Sequence, residues 1–177
     1  MKKICFIEGL PGVGKTYLIN KIRDMKIQNT NVVDELINPD IKDPFTDKED
    51  IFLKNDELKL SLYDDGLVII DRGPVSTLVY NQVMHLLDNN YDASFVEKWF
   101  KQFESIYFDE NTRVIYLKNP GVYTPSINDD KNPFGSVDNL KLTDEITVFN
   151  IKKYFKNYKI IEYKKNNVES VIDEIVN

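Results

Sequence analysis

The chain has 177 residues, 42% of them hydrophobic and 29% charged, with a formal net charge of −6. That length suits a single domain over residues 1–177, and a chain of ~150 residues already buries roughly 70% of its unfolded surface, so neither a disulfide nor a metal is needed to make a core. The acidic balance argues against a general nucleic-acid binder, because affinity for a phosphate backbone comes from clustered Lys and Arg.

The basic set is lopsided, with 20 lysines against three arginines, Arg23, Arg72 and Arg113, an imbalance that coding bias alone would produce. One cysteine, Cys5, excludes an internal disulfide and suits a reducing compartment. The first apolar run stops at Glu8, too short for a signal-peptide core, and no stretch of 18 apolar residues occurs. A soluble, cytoplasmic protein with no membrane partner is expected.

Short β-type runs alternate with helical segments, which predicts an α/β chain built on a mainly parallel sheet. The first run is Ile4–Ile7, followed by a helix from Lys15 to Met25 with Leu18, Ile19 and Ile22 on one face. Asn31–Val33 is the second run, and Thr46-Asp47-Lys48-Glu49 reads as a capping box opening a helix toward Tyr63. After the third run, Leu67–Ile70, Pro74 can open a helix carrying Leu78, Met84 and Leu87. Ser94-Phe95-Val96-Glu97 reads as a second capping box, leading into the stripe Phe95, Trp99, Phe103, Ile106 and Tyr107. Val114–Leu117 is the fourth run. The long polar stretch from Asn119 to Lys141, with its Pro and Gly residues, reads as a lid-like insertion. Thr143 is placed as the cap of the next helix, Lys159–Tyr163 is the fifth run, and Val168, Val171, Ile172 and Ile175 mark a final helix.

The sharpest signal lies between the first strand and the first helix. Gly9-Leu10-Pro11-Gly12-Val13-Gly14-Lys15-Thr16 fits G-x-x-x-x-G-K-[ST] in full, with the flanks that the motif requires. Such a loop wraps an anion with its own N–H groups, and the following helix turns its positive end toward the phosphates. Lys15 is then placed on the β- and γ-phosphates of ATP and the Thr16 hydroxyl on Mg²⁺.

Ligands of parallel sheets bind beyond the carboxyl ends of strands, so Asp71 and Arg72 are expected beside this loop. Asp71 can hold Mg²⁺ and Arg72 can grip a phosphate with its fork. Glu8, Asp34 and Glu35 fall at strand ends on the same edge, and a carboxylate there can orient an acceptor hydroxyl or take its proton. Only one of the neighbours Asp34 and Glu35 can point inward.

These residues carry a family resemblance. Phe6-Ile7-Glu8-Gly9 through Thr16 resembles the opening of thymidylate kinases and deoxynucleoside kinases. Val68-Ile69-Ile70-Asp71-Arg72 followed by Ser76-Thr77-Leu78-Val79-Tyr80 resembles the thymidylate-kinase pattern D-R-Y-x-x-S-S-x-A-Y-Q, and the closing helix at Val168-Glu169-Ser170-Val171 is similar to the end of such kinases. The resemblance implies a P-loop NTPase fold, a five-stranded mainly parallel sheet with helices on both faces and a lid segment. It implies that Lys15 and Thr16 bind ATP·Mg, that Asp71 supports the metal or the transfer, and that Arg72 holds the acceptor. Glu35 would meet the acceptor sugar or hydroxyl. The helix with Phe52, Asn55 and Leu58, together with Tyr80, would wall a nucleobase pocket, Phe52 and Tyr80 serving core packing equally well. The loop from Lys164 to Asn167 would border the donor adenine, and a homodimer is common in the family.

Three departures bear on substrate. Pro11 stands where thymidylate kinases usually carry Asp, Leu36 where a Pro often follows the family's Glu, and no arginine occurs from Asn119 to Lys141. Lid arginines stabilise charge on the transferred phosphoryl group. Lys118 or Lys131 can supply charge there without a planar fork. A lysine lid, an acceptor needing little neutralisation and a weakened enzyme all remain open. The leading expectation is transfer of a phosphoryl group from ATP to a nucleoside or nucleoside monophosphate. A kinase for a non-nucleotide small molecule and an ATP-binding regulator are the alternatives.

Overall fold

Five short apolar runs form one sheet: β1 (Lys3–Glu8), β2 (Thr30–Val33), β3 (Leu67–Asp71), β4 (Thr112–Lys118) and β5 (Asn157–Glu162), in the order β2-β3-β1-β4-β5. All four pairings are parallel. The computed structural model describes residues 1–42, 49–127 and 129–176. Seven helices cover the sheet among these residues: α1 (Lys15–Asp24), α2 (Glu49–Ser61), α3 (Pro74–Leu87), α4 (Ser94–Lys101), α5 (Glu104–Tyr107), α6 (Val137–Tyr154) and α7 (Val168–Val176). None is long and apolar enough to cross a membrane.

The runs are continuous rather than alternating because both faces of the sheet are covered. Ile4, Phe6, Val68, Ile70, Val114 and Tyr116 face one core, shared with Val75, Leu78 and Val79 of α3 and Ile151 of α6. Cys5, Ile7, Ile69, Ile115 and Leu117 face the other, closed by Leu18, Ile19 and Ile22 of α1 and by Val168, Val171, Ile172 and Ile175 of α7. Burial pushes the Cys5 thiol up to about 11. Register then aligns the carboxyl ends: Ile7 lies opposite Asp71, and Glu8 opposite Tyr116.

Three local expectations need correction. The second capping box does not form: Ala93 is the cap of α4, and it is Asp92 that accepts the Ser94 N–H at 2.8 Å. The aromatic stripe is divided between α4 and α5, so Trp99 and Tyr107 are buried while Phe95 is exposed. Thr143 caps nothing. Ser136 caps α6 by accepting the Asn139 N–H, and Thr143 lies buried one turn and a half inside, its hydroxyl on the carbonyls of Pro133 and Asn139. The capping box read at Thr46-Asp47-Lys48-Glu49 rests on residues outside the described ones.

The tightest packing near the sheet edge is at Gly73, where a Cβ would lie 2.4 Å from the Phe6 ring. Phe6 is fully buried and meets Phe155 edge-on at 5.9 Å. Overpacking a closed core costs about 1–3 kcal/mol. Gly73→Ala is therefore expected to lose about that much stability in urea denaturation, with an unchanged slope.

Candidate functional site

Residues Gly9 to Thr16 leave β1 as a loop that approaches two neighbours closely. Gly9 has a φ of +152°, and a Cβ there would sit 2.7 Å from the Leu117 carbonyl oxygen of β4. Gly14 has a φ of +107°, and a Cβ there would sit 2.8 Å from the Tyr163 ring. Glycine is thus required twice for space as well as for the left-handed backbone. The loop ends at the N-terminus of α1, where Thr16 is exposed.

Lys15 is only 6% exposed and turns back on its own loop, donating to the carbonyls of Gly9 at 2.8 Å and Leu10 at 3.1 Å. Burial, with Arg72 nearby, lowers its ammonium to about 7, against the pull of Glu35, Asp71 and Glu8. An anion in the loop would restore the charge.

Asp71 and Arg72 follow at the end of β3. Asp71 is buried and its Oδ1 has no hydrogen-bond partner among the described residues, and burial raises its carboxyl. Arg72 adopts a φ of +53°, donates its backbone N–H to the Ile7 carbonyl, and brings Nε within 2.8 Å of Glu35 Oε1. That contact is an ion pair without the angle of a hydrogen bond. Asp34 turns the other way and pairs with Arg23 at 2.6 Å, so Glu35 is the neighbour that faces inward. Arg113 bonds the Ile175 carbonyl at the opposite edge of the sheet.

Glu8 is completely buried and accepts from the Gly73 N–H at 2.7 Å and from the Ser76 hydroxyl. Burial raises its carboxyl to about 7 despite both bonds and the charges of Arg72 and Lys15. Its side chain is committed to the turn after β3, not turned to an acceptor.

The remaining expected residues divide. Tyr80 lines a cavity of about 20 Å³ together with Leu10, Arg72, Ser76, Phe134 and Thr143. The Phe134 ring lies 5.8 Å from the Tyr80 ring, and the space left is that of a water molecule. Asn55 does not offer its amide to this cavity. It is 2% exposed, its Oδ1 accepts from the Ile37 and Asn38 N–H groups, and its Nδ2 donates to the Glu35 carbonyl. Phe52 is half-buried and does not line the cavity, and Leu58 lies on the exposed face of α2. The β5 exit reaches the loop through Tyr163, ahead of the turn Lys165–Asn167. At the end of β4, Lys118 lies 3.8 Å from buried Asp144, which also accepts from the Tyr116 and Tyr123 hydroxyls. Lys131 is exposed.

The sequence carries a signal for several of these residues. Phe52, Asn55, Asp56, Lys59 and Leu60 share one helical face by spacing, and Asn55, Asp56, Lys59 and Leu60 are buried. A buried stripe that is mostly polar marks a helix facing charge instead of oil. Phe134 carried no such signal, because nothing in a Pro- and Gly-rich stretch fixes which side chain turns inward.

The donor chemistry suits a divalent cation of the hard kind. Asp71 Oδ1, without a hydrogen-bond partner among the described residues, and the exposed Thr16 hydroxyl are oxygen donors of the kind that Mg²⁺ prefers.

No protein-family model matches the chain, and no curated protein matches its sequence. Solved structures do match its fold. Thymidylate kinase from Candida albicans superposes with a TM-score of 0.61 at 14% identity, over 98% of this chain and 88% of that one. The YorR protein from Bacillus subtilis, in complex with phosphorylated GDP, superposes with a TM-score of 0.57 at 14% identity, over 97% of this chain and 95% of that one. The chain resembles the P-loop nucleotide kinases and has their α/β fold.

Glu8 makes stability depend on pH. Between pH 4.5 and about 7 the folded chain keeps a proton that the unfolded chain has released, so raising the pH across this window favours unfolding. Urea midpoints are expected to fall over that range for the wild type. Glu8→Gln should abolish this part of the fall while keeping an acceptor for Gly73.

Proposed function

We propose that the protein is an ATP-dependent phosphotransferase that acts on a nucleoside or nucleoside monophosphate. The observation that carries this reading is Arg72, which lines a cavity that also borders Gly9 and Leu10 of the phosphate loop and pairs on its other side with Glu35. A donor site alone would fit many nucleotide-binding proteins. An arginine fork and a carboxylate beside it give an acceptor something to bind. The fold of the thymidylate kinase and of the GDP-complexed protein supports the same class.

In this reading the backbone N–H groups of residues 9–16 and the start of α1 take the triphosphate of ATP. Lys15 leaves the Gly9 and Leu10 carbonyls for the β- and γ-phosphate oxygens and is charged there. Mg²⁺, held through Thr16 and Asp71, would neutralise phosphate charge. Arg72 exchanges Glu35 for the acceptor's phosphate or 5′ end, a swap of one carboxylate for another anion. An acceptor oxygen then bonds to the γ-phosphorus, the bond from that phosphorus to the bridging β–γ oxygen breaks, and ADP leaves. Where the acceptor is a hydroxyl, freed Glu35 takes its proton. Where it is a phosphate no proton need move, and Glu35 bonds the sugar. The segment 119–141 acts as the lid, with Lys118 in place of a lid arginine, and the buried Cys5 suits a reducing cytoplasm.

The water-sized cavity favours one second reading, a smaller non-nucleotide acceptor for the same chemistry. The two are separated by incubating the protein with ATP·Mg²⁺ and a panel of nucleosides and nucleoside monophosphates, and reading masses. Gain of one phosphoryl group by a panel member is expected, and transfer to none of them with ATP binding intact would sink the leading reading. Lys15→Ala should lower the rate about 10²–10³-fold, the scale of losing one preorganised electrostatic donor.

Lys15 gives a second handle. Because its ammonium titrates near 7 in the free protein, ATP binding above that pH should take up protons. Calorimetry in two buffers of different ionisation enthalpy measures this uptake, and Lys15→Met should remove it.

A further inference from the structure

Arg72 holds a backbone that a side chain disfavours, with φ at +53°. Buried groups grip the peptide units on both sides of it. The Arg72 N–H donates to the Ile7 carbonyl at 3.1 Å, and the Gly73 N–H donates to Glu8 Oε1 at 2.7 Å. From the other side, Lys59 Nζ of α2 donates to the carbonyls of Asp71 at 3.2 Å and Arg72 at 3.0 Å.

Lys59 is 2% exposed, and its third contact is Asp56 Oδ1 at 3.2 Å. Asp56 in turn accepts from the Thr77 hydroxyl at 2.6 Å. An ammonium has three donors, and three partners surround this one inside the protein. Burying a charge is costly unless it is fully paired, and an apolar side chain would join a helix to a sheet without that cost. What the charge adds is a hold on two particular carbonyls. One turn earlier on the same face of α2, Asn55 does the equivalent for the opposite partner by donating to the Glu35 carbonyl at 2.9 Å.

We propose that Lys59 is a positioning residue: it fixes the Asp71–Arg72 backbone so that Arg72, which lines the cavity beside the phosphate loop, stands opposite Glu35. The inference deepens the kinase reading and rests on Arg72 holding the acceptor. It has a readout that needs no acceptor. With only three arginines in the chain, the Nε–H region of a ¹⁵N–¹H spectrum holds three signals, and Arg72→Lys identifies the one from Arg72. Lys59→Met is expected to shift or broaden that signal and to leave those of Arg23 and Arg113 in place.

If Lys59→Met does not fold, Asp56→Asn/Lys59→Met removes both charges, leaves none unpaired, and is read in the same way. On an acceptor that the wild type phosphorylates, the variant should lose ~10–100-fold in acceptor kcat/KM with little change in KM for ATP, the scale of a small misplacement of a binding group. In an Arg72→Ala background the same substitution should cost nothing further. An Arg72 signal that stays in place, or an equal loss in the Arg72→Ala background, would overturn the proposal. A wild type that phosphorylates nothing overturns the kinase reading instead, and the spectrum still decides the role of Lys59.

Discussion

The carboxyl edge of the sheet concentrates charge where water does not reach. Glu8, Lys15, Asp56, Lys59 and Asp71 are all buried, and Arg72 closes the group. Isolated charges cannot survive such burial, so each must be paired, protonated or held by backbone dipoles. Register makes this unavoidable: once β1, β3 and β4 run parallel and end together, the residues following them share one small volume. The hydrophobic faces of the sheet build the molecule, but this edge decides what the molecule can bind.

The edge is arranged as a site awaiting negative charge. Lys15 leans on carbonyl oxygens and sits near the boundary between charged and neutral, while Glu8 approaches the same boundary from the other side. Asp71 keeps one oxygen with no partner among the described residues. In the proposed reading a polyphosphate with its cation relieves Lys15 and Asp71 in one event, while Glu8 stays with the turn after β3. That shared relief is a physical reason for a donor to bind here. In the proposed reading the acceptor side is built differently, on a salt bridge that must open, between partners whose backbones are tied down by α2.

Much of this was legible in the sequence because it depends on local pattern. The five strands follow from continuous apolar runs, and the phosphate loop follows from a spacing that few other structures need. Asp71, Arg72 and Glu35 were found by the rule that ligands collect beyond strand ends, and that rule needs only the strand boundaries. What escaped depended on contacts far apart in the chain. Thr143 looks like a cap until Ser136 takes that place seven residues earlier, and Ser94 looks like one until Asp92 reaches its N–H. The resemblance puts Asn55 on the wall of a nucleobase pocket, and an amide suits such a wall. Only the position of residues 35–38 reveals that its bonds are already in use. Lys59 is one of 20 lysines, and since most lysines are solvated, composition cannot single out a buried one.

The contact of Phe134 with Tyr80 bears on how an acceptor would be chosen. Phe134 is not loose: its segment is held by Asn139, which bonds the carbonyls of Asp130 and Asn132, and by Thr143 on the Pro133 carbonyl. A ring that would stack on Tyr80 therefore competes with one the protein already supplies. In the proposed reading the apparent affinity for an acceptor is its intrinsic affinity scaled by the fraction of molecules in which Phe134 has left. Selection then acts on a difference between two stacking partners, one of them internal, and a weakly stacking molecule is refused without any clash against it.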